Sequence, residues 1–573
     1  MRTLRLILGL FILLPIATSA QVLTSRPHTG VVQVPIGDEV YAFLRHLSVK
    51  GELNGFSEAA LPISEYEVIR LLRSVNEASL SSAEKALRIK FLRTYERQPY
   101  QAVTMFSADS AERLFFSGIP TDYDKYLYRW KDDSTISDFQ IHGIASLEYR
   151  KRMQPTDGAA ELGLIGGRFT GTLSGHVGFF METTNGQDFG DSTIALEDPI
   201  IGHNKNFTLF SHNFFDQTTA ELVYNNDWFT AKIAREPLAI GGSYQGNNII
   251  ISPNVQAPDF VTLQARVGAV RYEATVASLL GDPRFSERPD SSYFLAGVGA
   301  YIDSKFLTYH DLTFFIGNDL ELGFTDMTIF SRRFDLAYVN PFSFLKSIEH
   351  SLNDRDNGLL AIHGRWRVAK GFELRGQGVV DDVLASTIGD GRWWNKFAWQ
   401  IGGMWAAPFG LEDVDIAFEH TRVEPFTYSH FSPQNTFATN GQILGAGIGP
   451  NALSYWAQIH WAPSEKLTVE ASITLTKRGE NIYDSTGALI YNAGGDFEQT
   501  IRNEEEKAAT YSILGGRKVS TTTLQASVRY ELWRGLSLYV QGLNKSVQYA
   551  EAPPADPLEK PYRMLTIGAK ALF

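Results

Sequence analysis

The sequence contains no cysteine among its 573 residues, which excludes a disulfide framework, a thiolate metal site and a cysteine nucleophile. Long apolar runs are also missing: the one at the N-terminus is too short for a spanning helix, and no later run is long enough. No Pro/Ser-rich linker divides the chain into several soluble domains. Basic residues are outnumbered by acidic ones, and the formal net charge of -12 argues against nucleic acid as a partner.

The N-terminus has the features of an export signal. Arg2 and Arg5 precede an apolar run over residues 6–17, and small residues suited to cleavage follow at 18–20. We therefore predict a signal peptide over residues 1–20. The alternative is an uncleaved membrane anchor.

Residues 36–100 are predicted to form a small α-helical domain. Three segments have apolar side chains at helical spacing, and Asp38, Ser64 and Ser81 are placed to cap their first turns. Each of the two serines is followed three residues later by a glutamate, which is the spacing of a capping box. The sequence thus indicates three short helices packed together before the remainder of the chain.

From residue 138 to the C-terminus, apolar and polar residues alternate repeatedly. Residues 467–475 place Leu467, Val469 and Ala471 on one side and Thr468 on the other. A period of two predicts a strand with one apolar and one polar face. Eighteen such segments can be counted, most of them near the roughly ten residues that a tilted membrane strand needs.

Short and long connections alternate between these predicted strands, and both ends of the 138–573 region fall on the short-turn side. This pattern predicts an 18-stranded antiparallel transmembrane β-barrel in the outer membrane of a Gram-negative bacterium, with the helical domain in the periplasm and the long loops outside the cell. A closed barrel crosses lipid with every backbone group paired. The terminal Phe573 resembles the C-terminal signal that such barrels present to the assembly machinery. The alternative is a soluble, β-rich secreted protein.

The predicted long loops carry several short motifs in a fixed order. They are residues 241–258, Asn340-Pro341-Phe342, Asp356-Asn357, Asp381-Asp382, residues 421–428 and residues 444–451. Together, over most of residues 220–470, they resemble the capsule assembly Wzi family. The helical front also resembles in part the S-layer homology unit of some outer-membrane porins.

The Wzi resemblance implies an eighteen-stranded outer-membrane barrel with a helical periplasmic part and a lectin-like role. The implied partners are capsular polysaccharide or exopolysaccharide, outer-membrane lipid and lipopolysaccharide, and the barrel assembly machinery. The S-layer homology resemblance implies cell-wall binding, and its alternative is a compact periplasmic cap or plug. The loop at 477–520 has no counterpart in the Wzi pattern.

A sugar-binding surface needs flat aromatic faces with planar hydrogen-bonding side chains around them. We expect the long loops to supply them outside the cell, and the candidate ligand-binding residues are Tyr244, Asn247, Asn248, Asp381, Asp382, Arg392, Trp393, Trp394, Arg422 and Tyr428. For Trp393 and Trp394 the alternative is an aromatic girdle at the membrane interface. For Asn340-Pro341 and Asp356-Asn357 it is loop packing over the barrel mouth.

No motif indicates an enzyme, a metal site or a cofactor, and none of these is predicted. The GGSYQG segment at 241–246 misses the nucleophile-elbow spacing by one residue. Residues 353–358 lack the closing glutamate of an EF-hand. The glycine-rich segment 445–451 has no Lys-Ser/Thr for phosphate and is predicted to be a flexible loop segment.

Two other functions remain open from the sequence. A barrel of eighteen strands is wide enough to be an aqueous channel unless something fills it, and the predicted inward-facing charges Arg375, Glu470, Arg529 and Glu531 suit a wet lumen. An outer-membrane hydrolase is the weaker alternative. Whether the helical front or an infolded long loop fills the barrel is the feature that separates a surface anchor from a pore.

Overall fold

A computed structural model of the protein describes residues 27–96, 102–106, 115–198, 201, 207–209, 212–282, 304–383, 385–551, 553–554 and 557–573. The predicted signal peptide, residues 1–20, lies outside these described residues. Within them, no helix is both long and apolar enough to cross a membrane.

Eighteen strands of the described chain form a closed antiparallel barrel, as the sequence predicts. In chain order they are β1 (Ser137–Gln154), β2 (Gly158–Leu173), β3 (Val177–Gly190), β4 (His212–Asn225), β5 (Phe229–Arg235), β6 (Asp259–Val267), β7 (Val270–Leu279), β8 (Lys305–Ile316), β9 (Leu320–Ser331), β10 (Asn357–Ala369), β11 (Phe372–Asp382), β12 (Lys396–Ala406), β13 (Val414–Val423), β14 (Ala452–Ser464), β15 (Leu467–Glu480), β16 (Arg517–Trp533), β17 (Leu536–Tyr549) and β18 (Tyr562–Leu572). The barrel closes where β18 pairs with β1 in antiparallel register.

Shorter elements flank the barrel strands. Tyr128–Asp132 pairs with the start of β1, and Phe207–Leu209 pairs with the start of β4. Three further two-stranded pairs join Ala102–Thr104 with Asp124–Tyr126, Ala438–Thr439 with Gln442–Ile443, and Ile482–Tyr483 with Leu489–Tyr491.

The strands form because their period-two pattern matches the two sides of the wall. On β10, Leu360, Ile362 and Trp366 point outward and are exposed, whereas His363 and Arg365 point inward and are buried. The outer wall is therefore an apolar belt, and only lipid covers such a surface favourably. Three exposed tryptophans belong to this belt near the ends of β10, β12 and β14: Trp366, Trp405 and Trp461.

Two ends of the barrel are distinguished by their connections. The short-turn end carries the connections after even-numbered strands, such as Lys370-Gly371 between β10 and β11. Gly371 has φ of 86°, a conformation that a residue with a side chain adopts only with strain. The long-loop end carries the connections after odd-numbered strands from β3 onward, including residues 236–258, 332–356, 424–451 and 481–516.

Within residues 27–96 the structure describes three α-helices: α1 (Glu39–Lys50), α2 (Glu65–Ser74) and α3 (Ser82–Glu96). Their first turns are capped by Asp38, Ser64 and Ser81, whose side-chain oxygens accept backbone N–H bonds. The helices share a core of fully buried apolar side chains, namely Val40, Leu44, Leu47, Val68, Leu71 and Leu72. Shorter helices among the described residues are α4 (Phe115–Gly118), α5 (Ser192–Ala195), α6 (Leu345–Ser351) and α7 (Glu504–Ala508).

The helical domain occupies the lumen at the short-turn end. Ser57 Oγ donates to Glu321 Oε2 at 2.6 Å, and Arg365 Nη1 donates to Ser48 Oγ at 2.9 Å. On another strand, Lys232 Nζ donates to Gln33 Oε1 at 2.7 Å. These contacts bring inward-facing residues of β5, β9 and β10 onto the helical domain.

Three of the four inward-facing charges predicted from the sequence bind the helical domain. Arg529 pairs with Glu39, Glu531 pairs with Lys90 at 2.9 Å, and Arg375 pairs with Glu58. Glu470 lines a cavity of about 160 Å³ beside Arg529, between the wall and α1. Charges that would be solvated in an open pore are thus neutralised by a folded domain.

The upper lumen is filled by two loops from the long-loop end. Ile249 and Ile250 of the 236–258 loop pack with Phe437 and Leu444 of the 424–451 loop against inward side chains of the wall. The prediction of a flexible segment at 445–451 is wrong there, because the segment belongs to this core. A Cβ on Gly445 would lie 2.6 Å from Tyr428 Oη, so the glycine permits a close approach. Each end of the lumen is therefore occupied, while inward-facing residues of β16 such as Gln525 and Arg529 stay exposed.

Candidate functional site

Three of the predicted ligand-binding residues lie inside the barrel and not on its outer surface. Tyr244 and Asn248 are buried, and Asn247 is partly buried beside them on the infolded 236–258 loop. Asn248 Oδ1 accepts from the backbone N–H of Ser243 at 2.6 Å, which fixes the turn of this loop. Asn247 Oδ1 accepts from Gly447 N at 2.9 Å and joins the two infolded loops.

Tyr244 is the point where the loop meets the helical domain. Its ring lies 4.3 Å from the Arg375 guanidinium and 5.9 Å from that of Arg45, and its hydroxyl donates to Glu373 Oε1 at 3.0 Å. Burial raises the pKa of Tyr244 well above its ordinary value, so the hydroxyl keeps the proton it donates. The arrangement links the infolded 236–258 loop to the helical domain inside the lumen. Because Tyr244 is buried there, a soluble glycan has no access to it.

Asp381 and Tyr428 support the long-loop end from within. Tyr428 is fully buried; its backbone N–H donates to Asp381 Oδ2 at 2.7 Å, and its hydroxyl donates to Ile249 O at 2.8 Å. Beside them Lys396, a buried residue that sequence reasoning missed, donates to Ser429 O at 2.8 Å. These bonds hold the 424–451 loop in the barrel mouth.

Four predicted residues that are at least partly exposed form an indole cluster together with the buried Lys396; we define the cluster as Asp382, Arg392, Trp393, Trp394 and Lys396. The two indole rings meet edge to face, with centroids 5.7 Å apart at 77°. Lys396 Nζ lies 5.7 Å from the Trp393 ring and Arg392 Cζ lies 5.8 Å from the Trp394 ring. Asp382, with its side chain about half exposed, accepts from Lys396 Nζ at 3.0 Å.

The 481–516 loop lies within the 477–520 region that has no counterpart in the Wzi pattern, and it supports this cluster. Arg392 Nη1 donates to Ala508 O at 2.7 Å, and Tyr511 N donates to Gly391 O at 2.6 Å. Tyr511 also meets Phe426 edge to face at 4.8 Å. Loops 383–395, 424–451 and 481–516 therefore assemble into one surface at the long-loop end.

Three buried polar atoms near this surface lack partners among the described residues. Trp393 Nε1, Asp381 Oδ1 and Asn435 Oδ1 are buried and make no hydrogen bond to any described residue. Buried polar groups ordinarily find a partner, in protein, water or ligand. Burial and the nearby Lys396 ammonium lower the pKa of His430 to about 4, so this imidazole is neutral at physiological pH.

The structure separates Arg422 from the indole cluster. Arg422 lies in register with Trp399, on the outward face of the barrel near the end of β13. Its Nε donates to Glu424 Oε1. Its side chain therefore lies on the lipid-facing wall, a position that only the strand register reveals.

The Asx motifs form hydrogen bonds within and between loops. Asn340 Oδ1 accepts from Phe342 N at 3.1 Å, Asp356 Oδ2 accepts from Tyr338 Oη at 2.8 Å, and Asn357 Nδ2 donates to Asn435 O at 2.9 Å. The Asn340 bond is the local side-chain-to-backbone kind that Asn provides in turns, whereas the other two bonds join residues far apart in the sequence.

Comparison with known proteins gives structural matches alone. No protein-family model matches the chain, and no curated protein matches it in sequence. The structure of Wzi, an outer-membrane protein involved in group 1 capsule assembly in Escherichia coli and a carbohydrate-binding β-barrel, matches with a TM-score of 0.53 and 11% identity. The match covers 94% of this chain and 99% of Wzi. It shows that this chain has the Wzi fold.

Two other matches are weaker. OprD from Pseudomonas aeruginosa has a TM-score of 0.41 at 9% identity, and covers 76% of this chain and 93% of its own. OccAB2 from Acinetobacter baumannii has a TM-score of 0.43 at 10% identity, over 76% of this chain and 98% of its own. Both leave about a quarter of this chain unmatched.

Proposed function

We propose that the protein is an outer-membrane barrel that binds capsular polysaccharide or exopolysaccharide and holds it at the cell surface without catalysing a reaction. The observation that carries this proposal is a barrel filled from both ends that keeps an aromatic and charged surface at its long-loop end. Sharing the fold of a carbohydrate-binding barrel along 94% of the chain supports it.

The location follows from the outer wall. Exposed apolar side chains surround the barrel, and the helical domain lies at the short-turn end. In bacterial outer-membrane barrels the short turns face the periplasm and the long loops face outward. We therefore place the helical domain in the periplasm as a plug and the indole cluster outside the cell, after insertion by the barrel assembly machinery.

The chemistry of the indole cluster selects a class of sugar. Indole faces cover the apolar face of a sugar ring at low cost in conformational entropy. Arg392 and Lys396 lie beside those rings, and a guanidinium binds a carboxylate in a planar, charge-assisted pair. The cluster is thus suited to a polysaccharide that contains acidic residues, with Arg392 as the carboxylate partner.

The filled lumen opposes the channel alternative. Side chains of the wall pair with the helical domain inside the lumen, as Arg375 does with Glu58. A conducting barrel of this size needs a continuous column of water. Purified protein in a planar bilayer should accordingly show no steady conductance.

The deciding experiment compares a deletion strain with its parent, measuring polysaccharide retained on the cells and polysaccharide shed into the medium. We expect synthesis to continue and the polymer to be shed. Complementation with the double variant Trp393→Ala/Trp394→Ala should leave shedding high, while Trp130→Ala, an exposed tryptophan at the opposite end of the barrel, should restore retention. Unchanged retention in the deletion strain would refute the proposal.

A further inference from the structure

The 332–356 loop lies against the outer wall of the barrel and not over its mouth, where the sequence placed it. Phe330 points outward from β9 and stacks on Tyr338 of the loop with centroids 4.7 Å apart. Leu345 N, at the start of α6, donates to Asp326 Oδ2 at 2.5 Å. Tyr272, which points outward from β7, donates its hydroxyl to Pro341 O. We call residues 332–356 the outer-wall loop.

The outer-wall loop exposes large apolar side chains. Phe342 is 89% exposed and Leu336 is 76% exposed, and more than half of Phe334 and Phe344 is exposed as well. Exposed apolar surface of this extent is unfavourable in water and marks contact with a protein or a membrane. Because the loop adjoins the apolar belt near the long-loop end, its neighbour there is the outer leaflet.

A groove runs between this loop and the wall. It encloses a volume of about 830 Å³, and its apolar lining includes Phe342, Phe344, Phe324, Ile362 and Trp399. Its polar lining includes His310 and Asp326, and Asp326 Oδ1 is buried without a hydrogen-bond partner among the described residues. A plain hydrocarbon chain would leave this oxygen unpaired, whereas the hydroxyl group of a hydroxylated acyl chain can donate to it.

Two arginines of the outer-wall loop are held close together. Arg333 Nη2 and Arg355 Nη2 lie 3.2 Å and 3.0 Å from the same oxygen, Asp335 Oδ2. Both side chains are exposed, and Arg355 Nε also lies 3.2 Å from Asp356 Oδ2, so the two guanidinium groups are paired with two carboxylates. Exposed guanidinium groups held side by side are suited to a phosphate, which would exchange with these carboxylates.

We infer that the outer-wall loop is immersed in the outer leaflet and that its groove binds an acyl chain of lipid A, with Arg333 and Arg355 near a lipid phosphate. Lipid A combines phosphates with several acyl chains that carry hydroxyl groups. The inference rests on the proposed outer-membrane location but is independent of polysaccharide binding.

The test places a photoreactive residue in the groove, as Phe342→p-benzoylphenylalanine in the full-length protein in cells. We expect irradiation to give an adduct whose mass and sugar–acyl fragments identify lipid A. The matched control is the same substitution at Phe431, a similarly exposed residue on the 424–451 loop, which should give little of this adduct. Folding of each variant is checked by its heat-dependent gel mobility.

Three outcomes would overturn the inference: an adduct with phospholipid alone, an adduct with another protein, or a lipid A yield at Phe342 no higher than at Phe431. As a second readout, Phe342→Asp/Phe344→Asp should reduce the lipid A that copurifies by several-fold. Polysaccharide retention measured in the same strains separates the two ideas. A lipid A adduct with normal shedding in the deletion strain would sink the proposed function and leave this inference standing.

Discussion

His46 of α1 joins the helical domain to the barrel wall, with its Nδ1 2.7 Å from Asp415 Oδ1. Its other ring nitrogen, Nε2, lies 2.8 Å from Glu84 Oε1 of α3. Burial alone lowers the pKa of His46, but the carboxylates of Asp415 and Glu84 outweigh it and raise that pKa to about 10. The imidazole is therefore charged at neutral pH and donates both N–H groups.

Docking of the helical domain should consequently weaken at alkaline pH. The folded pKa of His46 lies above its ordinary value of about 6.5, so the stabilisation is complete below about pH 6.5 and is lost as the pH rises toward 10. Protease cleavage within residues 36–100 should increase over this range. For the His46→Gln variant, the rate of cleavage should already be higher than that of the parent protein at pH 6.5, and it should change little up to pH 10. A control, His350→Gln on the exposed outer-wall loop, should behave as the parent protein does.

The same contact predicts an acid limit. Burial raises the pKa of Glu84, but its hydrogen bonds to His46, Lys50 and the Ser81 backbone lower it to about 2. Its stabilising effect is present above the ordinary carboxyl pKa of about 4.3 and is lost as the pH falls toward 2. Protection of the helical domain from an acid protease should therefore be greatest between about pH 4.5 and 6.5.

A second ion pair joins the barrel wall to the helical domain. We expect it to contribute more than any other pair to the stability of this docking. Arg375 bonds to Glu58, Glu373 and the Gly242 carbonyl, and it stacks on Tyr244. Removing one member leaves a buried charge without its partner, which costs about 3–5 kcal/mol. We expect Arg375→Met to lower the free energy of unfolding in urea by that amount.

The double variant Arg375→Met/Glu58→Leu should recover part of this loss, because it removes both charges of the pair, although Arg45 and Glu373 each lose one partner. As a control, Arg70→Met removes an exposed pair with Glu67 on α2 and should cost less than about 1 kcal/mol. Equal losses for Arg375→Met and Arg70→Met would contradict a role for the lumen pair.

The barrel and the caps are predictable from sequence because their determinants are local. The alternation on β15 and the Ser81–Glu84 capping box each lie within a few neighbouring residues. The partners of Arg375 cannot be predicted in this way, since Glu58 lies more than 300 positions away and no neighbouring residue indicates the contact. Tyr244 shows the same limit: its aromatic and amide neighbours suggested an exposed sugar site, but the loop enters the lumen. Lys396 was overlooked because a lysine at a strand start usually faces solvent.

Opening the barrel should require removal of both fillings. The helical domain fills the short-turn end, and residues 236–258 with residues 424–451 fill the other. We expect a variant without residues 27–96 to stay closed in single-channel recordings, and likewise one in which residues 241–252 are replaced by a short glycine linker. Only the combined variant should conduct. Steady conductance of the intact protein would contradict this arrangement.

Ionic strength should reveal whether the indole cluster recognises acidic sugar. A guanidinium–carboxylate contact at the surface weakens as salt screens it, whereas stacking on Trp393 and Trp394 does not. Binding of purified capsular polysaccharide to the parent protein should therefore fall as salt is raised from 0.05 to 0.5 M, by roughly tenfold for one such contact. Arg392→Gln should bind about tenfold more weakly at low salt and show little further salt dependence.

The control for this measurement is Arg563→Gln, an exposed arginine at the long-loop end of β18 that lies outside the cluster. It should retain both the affinity and the salt dependence of the parent protein. Trp394→Ala should weaken binding equally at every salt concentration, because it removes ring contact and leaves the guanidinium in place. If Arg392→Gln and Arg563→Gln lose the same affinity, general charge attraction accounts for binding and the cluster has no specific part in it.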